Sequence, residues 1–362
     1  MMRRTGLWRF LQRTHTPFMR RLVPLVLAVS FLAGCLPSSN QRKLKRALFP
    51  SDSLSRQIAE ATSVDTLQLV RRVDAPPEAI LEYPTSLDLL DDGRIVVAET
   101  RRGALVTFSA RGRYESALQY DGFSYPFMAG VRGDTVAVLN RGAHRVDYVV
   151  GDDVVGAVDV PDVRNGSALL TDDGLYYKTA VEGEGTTLYR FDDAGTERAR
   201  WTLQGPYWRH LGFLRTWGDS LLALSGYRPV VDVLAPDTPG GTVLDTLALV
   251  GFDSPQLERS RLWAAGDVDE PPLLTPAAAA LGEQLFVLNA RPGWLRIDVY
   301  ARGEDELRLQ RILLQPNPTM DNQLLYVDLA ARRVPGGVEF VALTTKPRPG
   351  FAFYFWPDAV GR

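Results

Sequence analysis

An internal repeat constrains this chain more than any other feature. Four stretches follow one plan: a short apolar strand, a tight turn of Asp and Gly, then a second strand of β-branched or large apolar residues. Ser86–Leu90 leads through Asp91, Asp92 and Gly93 into Ile95–Ala98, and Met128–Val131 through Arg132, Gly133 and Asp134 into Val136–Leu139. Ser167–Leu170 leads through Asp172, Asp173 and Gly174 into Leu175–Lys178, and Leu214–Thr216 through Trp217, Gly218 and Asp219 into Leu221–Leu224. Two weaker copies turn at Gly282-Glu283 and Gly336-Gly337. The turns lie about 40 residues apart in the first four copies, then about 64 and 54. Fixed spacing of this length marks an array of small structural units.

Each copy continues into two more strands, as at Ala104–Phe108 and Tyr114–Leu118. Four antiparallel strands per unit of roughly 40–45 residues is the pattern of a β-propeller blade. Six copies fit, at 84–123, 126–162, 166–205, 210–252, 274–315 and 322–357. The last ends at Phe351–Trp356, one strand short. Thr66–Val73, upstream of the first copy, is the expected donor, because pairing the two ends closes a ring and removes a sticky edge. The expected fold is therefore all-β: a six-bladed β-propeller over residues 63–358, closed by an N-terminal strand. An open pair of β-sandwiches or a seven-bladed ring is the alternative. The pattern over about residues 64–357 resembles six-bladed propellers of the NHL and TolB-like kind. That resemblance is architectural, and such scaffolds carry many unrelated functions.

The N-terminus reads separately. Leu22–Gly34 is apolar for 13 residues with Pro24 inside, whereas a membrane span needs roughly 20. Six arginines and no acid precede Cys35, as in a signal-peptide n-region. Starting at Met19 instead would leave a compact signal peptide. Leu32-Ala33-Gly34-Cys35 resembles the lipobox of bacterial lipoprotein signal peptides. The resemblance implies cleavage of residues 1–34, diacylglycerol on Cys35, and a chain tethered to a membrane through residues 35–62. The residues after Cys35 lack Asp at the second position, which by resemblance to sorting signals leans towards an outer membrane and its periplasmic side. Arg42, Lys43, Lys45 and Arg46 form a basic cluster, either a solvated linker or a patch drawn to anionic headgroups, and a short helix is expected around Leu54–Ala61, with no folded partner required.

Charge and cysteine content narrow the function. The whole chain has 41 basic and 43 acidic residues; without residues 1–34 it has 35 against 43, a net charge near −8. Nucleic acid is a poor general partner for such a surface. Cys35 is the only cysteine, so its acylation would leave no thiol for a disulfide, metal site or nucleophile.

In a four-stranded meander the first and third turns share one face, and the second turns share the other with the links between units. The first face holds Asp91, Asp92, Asp134, Asp152, Asp153, Asp172, Asp173, Asp192, Asp193, Asp219, Glu304 and Asp305, which stabilise tight turns through their own backbone hydrogen bonds. The second face carries Arg102, Arg141, Arg228, Arg291 and Arg348, with Trp294 beside them. Its links add Tyr125, Trp208, His210 and Asn322. Arginine suits bidentate recognition of carboxylate, phosphate or sulfate, and aromatics beside polar groups suit a saccharide or peptide. The expected partner is an anionic saccharide, an anionic peptide or a protein loop. Phe252–Pro272 is an insertion on this face, with a short helix expected through Leu257, Arg261 and Trp263.

Catalysis has thin support. Beyond Cys35 only His144 and His210 remain, without His-x-His or His-Glu-x-x-His spacing. No cofactor or metal is implied. The alternative is a calcium-dependent lactonase of the kind found among six-bladed propellers. Glu82, Asn140, Asn165 and Asn289 are its candidate residues, although no family motif surrounds them.

Overall fold

A computed structural model describes residues 52–358 apart from 162–164, 206, 236–241, 292, 304–305 and 318–323. Cys35, the signal-like segment, the basic cluster, Asn322, Glu304 and Asp305 lie outside the described residues.

Local turn chemistry sets the element order. The glycine of every inner turn has positive φ: 84° at Gly93, 58° at Gly133, 120° at Gly174, 56° at Gly218, 57° at Gly282 and 86° at Gly336. Residues with a Cβ avoid that region. Beside it, Asp92 Oδ1 accepts the Arg94 amide at 3.0 Å, and Asp192 does the same for Ala194 and Thr196 in an outer turn. These aspartates hold their own turns. The strand after each inner turn is buried on both faces, as at Ile95–Glu99, because it lies second in its sheet with a neighbouring sheet on either side. That position accounts for its unbroken apolar run.

Five four-stranded antiparallel meanders result, over residues 84–119, 126–159, 167–203, 213–250 and 277–314. A sixth, over 325–357, has three consecutive strands and takes its fourth from Gln68–Asp74, which pairs antiparallel with Gly350–Pro357. The innermost strands touch in sequence order, and the last, Leu325–Val334, returns to the first, Pro84–Leu89. This is the architecture of a β-propeller. Its core is divided accordingly. Among the described residues, six apolar clusters each sit between two adjacent sheets, for example Phe286 and Ile297 against Phe340 and Tyr354, and Val97 and Phe108 against Val341 and Phe351. Side chains clasp neighbouring inner strands: Met128 donates its amide to Ser86 Oγ at 2.8 Å, and Leu87 donates to Asp328 Oδ2 at 2.8 Å.

The segment before the first meander is more structured than a tether. Helix α1, Asp52–Ala61, packs Ile58 and Ala59 against the core between the fourth and fifth meanders. Ser55 is buried there and its Oγ accepts the Gly251 amide at 3.2 Å. Val64–Thr66 then pairs in parallel with the outermost strand of the fifth meander. The folded part therefore starts by Asp52, inside the span 35–62 expected as linker. Ser55, Ile58 and Ala59, three to four residues apart, form one buried face of an amphipathic helix, which is the physical reason.

Candidate functional site

The second turn of each meander and the inter-sheet links leave the sheets at the same end, so the five arginines share one face by connectivity. A common pattern governs four of them. Each reaches from its turn to an adjacent inter-sheet segment and staples it. Arg102 pairs with Glu82 in the segment entering the first meander. Arg141 donates to the Gly166 carbonyl at 3.0 Å and lies 3.9 Å over the Phe127 ring. Arg228 donates to the Arg209 carbonyl. Arg291 donates to the Asp253 carbonyl at 2.6 Å and pairs with its carboxylate at 2.9 Å, 5.6 Å from the Trp294 centroid. Arg348 is exposed at the sixth meander. The staples replace the free ring of five guanidinium groups that the sequence suggests. Burial pulls Arg141 and Arg291 below the ordinary arginine range, a sign of how far they are withdrawn from water.

Two expected ligand contacts are interior residues. Arg228 is fully buried, and burial pulls its guanidinium down to about 10. His210 is 1% exposed, with Nδ1 2.7 Å from Asp232 and Nε2 3.0 Å from the Gln204 carbonyl. Buried Lys178 donates to the His210 carbonyl at 2.6 Å, and burial lowers its ammonium to about 8. Burial alone would raise Asp232, but the hydrogen bonds from His210 and Thr246 and the nearby Arg228 outweigh it and hold the carboxyl low. Both ring nitrogens of His210 are thus engaged, and the cluster is an internal polar network. Its cover is the insertion. Helix α2, Leu257–Ala265, sets Trp263 against Trp208 at 5.8 Å and Tyr227 at 5.6 Å, and Ser260 donates to the Tyr227 carbonyl.

Open binding geometry lies between the first two meanders. A cavity of about 610 Å³ is lined by Tyr83, Thr85, Thr100, the turn 101–103, and by Phe123, Ser124, Tyr125 and Phe127. Tyr83 and Tyr125 are 58% and 63% exposed. Arg101 also approaches Glu82, at 3.7 Å. The Thr85 and Thr100 hydroxyls are 2.6 Å apart. Beneath, Glu99 is fully buried and accepts the amides of Glu82, Tyr83, Arg101 and Arg102, fixing both walls. The cavity unites the expected Arg102 and Tyr125. Arg101, Glu99 and the threonine pair were not legible as site residues, though the doubled Arg101-Arg102 was a signal.

Three of the lactonase candidates have local partners of their own. Glu82 is exposed and bound to arginine, and Asn165 is exposed. Asn140 is buried and donates to Asp147 at 2.8 Å, which in turn pairs with Arg145 at 2.7 Å. Asn289 repeats this with Asp298 and Arg296, each at 2.7 Å. Each amide serves its own sheet, also holding the Gly122 and Asp253 carbonyls of the neighbouring links. The sequence carries this clamp as Arg145-Val146-Asp147 and Arg296-Ile297-Asp298 following an Asn. Among the described residues no three His, Cys, Asp or Glu side chains gather as a metal set.

No protein-family model matches the sequence, and no curated protein matches it. Solved structures do resemble the fold. One is a catalytically inactive virginiamycin B lyase of Staphylococcus aureus with quinupristin, at 10% identity and a TM-score of 0.50, covering 80% of this chain and 99% of that one. A luciferin-regenerating enzyme matches at 12% identity and a TM-score of 0.49, over 80% and 98% of the two chains. At such identities the likeness concerns the fold alone.

Proposed function

We propose that this chain is a lipid-anchored, six-bladed β-propeller of the NHL/TolB-like kind that binds an anionic ligand or partner through its turn-and-link face. The lipobox-like Leu32–Cys35 supports the anchor and, with it, an outer-membrane protein facing the periplasm. The observation that carries the binding reading is the cavity edged by Arg101 and Arg102, on the same face as exposed Arg348 and half-buried Arg141 and Arg291. Nearby charge governs such recognition despite the net negative chain, since salt screens beyond roughly 8–10 Å. Titrating trigalacturonate and hexa-aspartate into the full chain in detergent tests this. Binding should weaken at least tenfold between 50 and 500 mM NaCl, and weaken further in Arg102→Gln with Arg348→Gln. Salt-independent binding, or none, contradicts it. In cells, Cys35→Ala should release the protein from the membrane fraction; retention of that variant contradicts the anchor.

A further inference from the structure

Tyr125 holds an unusual backbone for what its side chain does. Its φ is +54°, a left-handed conformation uncommon for residues other than Gly, Asn and Asp. Nothing apolar is gained in return, because the side chain stands in solvent at 63% exposure. The conformation is imposed by its neighbours. Asn140 Oδ1 accepts the Ser124 amide at 2.8 Å, Gly142 donates to the Ser124 carbonyl at 2.8 Å, and Thr100 Oγ1 donates to the Pro126 carbonyl at 3.0 Å. Two meanders thus lock one short link so that an aromatic ring projects over the cavity. Backbone strain kept by its surroundings is a mark of a working site.

We propose that this cavity binds an acidic saccharide, with Tyr125 as its stacking platform and Arg101 and Arg102 as its carboxylate donors. The proposal rests on the anionic-ligand reading above and gives it a location and a ligand class. A volume of about 610 Å³ falls within the range of roughly 300–1,000 Å³ usual for small-ligand sites. The lining carries two guanidinium groups and the hydroxyls of Thr85, Thr100 and Ser124, and the Glu82 carboxylate sits beside it, against both arginines. A purely anionic peptide would leave Glu82 opposed, whereas sugar hydroxyls can donate to it while the sugar carboxylate takes the arginines. Arg102 and Glu82 are exposed enough, at 52% and 36%, that their ion pair is weakly held and exchangeable. Tyr83 and Tyr125 offer flat faces to the C–H side of a pyranose.

The test is calorimetry on the full chain in detergent with trigalacturonate, neutral cellotriose and hexa-aspartate, using wild type, Tyr125→Gly, Arg102→Gln and, on the opposite face, Arg113→Gln. Trigalacturonate should bind best. Its affinity should fall at least tenfold in Tyr125→Gly and in Arg102→Gln and stay unchanged in Arg113→Gln. Glycine relieves the positive φ, so Tyr125→Gly should also keep or raise the Tm, which separates lost binding from lost fold. Trigalacturonate binding that ignores Tyr125→Gly and Arg102→Gln but weakens with salt overturns this location and leaves the anionic face standing. Preference for hexa-aspartate overturns the saccharide assignment. Cellotriose binding as tightly as trigalacturonate overturns the acidic assignment and the anionic-face reading together.

Discussion

Asp328 joins the last meander to the first, and it does so as a buried carboxylate. Its oxygens accept the amides of Leu87 and Leu329, both at 2.8 Å, and Arg215 of the fourth meander approaches to 3.6 Å. Burial, only partly opposed by Arg215 and by these amides and reinforced by nearby Asp88, pushes its carboxyl up to about 6, against roughly 4 in an unfolded chain. Between those values the native protein keeps a proton that the unfolded chain has released. Its stabilising contribution is therefore present at low pH and is lost as pH rises from about 4 to 6. A two-unit shift corresponds to about 2–3 kcal/mol. Asp88 is raised by burial in the same direction, so Asp328→Asn should flatten the dependence of Tm on pH between 4 and 7 without abolishing it. A variant whose profile parallels the wild type contradicts this account. Burial of this kind is what sequence conceals. Arg228 and His210 stand at turn and link positions that read as exposed. Trp208 lies 5.6 Å from the Arg228 guanidinium, and α2, contributed by an insertion, packs Trp263 on Trp208 and Tyr227. Spacing tells which end of a sheet a residue occupies, but not what covers it.

Strand Gln68–Asp74 shows the opposite case. A hydrophobic run upstream of a repeat that ends one strand short was enough to place it, because an unpaired edge is a liability that a closed sheet removes. Its residues are largely exposed, as an outermost strand's should be, and Arg71 stacks 3.6 Å over the Phe353 ring. Neighbouring segments reinforce the closure: Leu67 is 1% exposed within the core between the fifth and sixth meanders, and Trp356 donates to Asp65 at 3.1 Å. A protein beginning at Ile80 would lose these contacts, α1 and a full ladder of backbone bonds, each worth about 1 kcal/mol net. Its Tm should fall by more than about 10 °C, with aggregation through the bared Gly350–Pro357 edge. A monomer with unchanged Tm contradicts the closure. The docking of α1 was less legible, since Asp52–Ala61 offers a single short apolar stripe and its contact at Gly251 lies 196 residues beyond Ser55.

For the molecule as a whole, the repeat made the β-propeller legible, because turn glycines and paired aspartates are local signals that recur with every unit. The division of labour between its faces was legible only in outline. Connectivity assigns the aspartate turns to one end and the arginine turns to the other, and Asp92 and Asp192 prove to be turn-holding residues. Arg141, Arg228 and Arg291 are held as withdrawn staples, which leaves the available charge at Arg348 and at Arg101 and Arg102, whose pairing with Glu82 is exposed and exchangeable. On the proposed reading, ligand meets the turn-and-link face. Hydrogen exchange of the full chain with and without saturating trigalacturonate tests it most directly. Exchange should slow at residues 82–85, 100–103 and 122–127, with no change at the aspartate turns 91–94, 151–153 and 192–196. Protection centred on those aspartate turns, or spread equally over both faces, would contradict it.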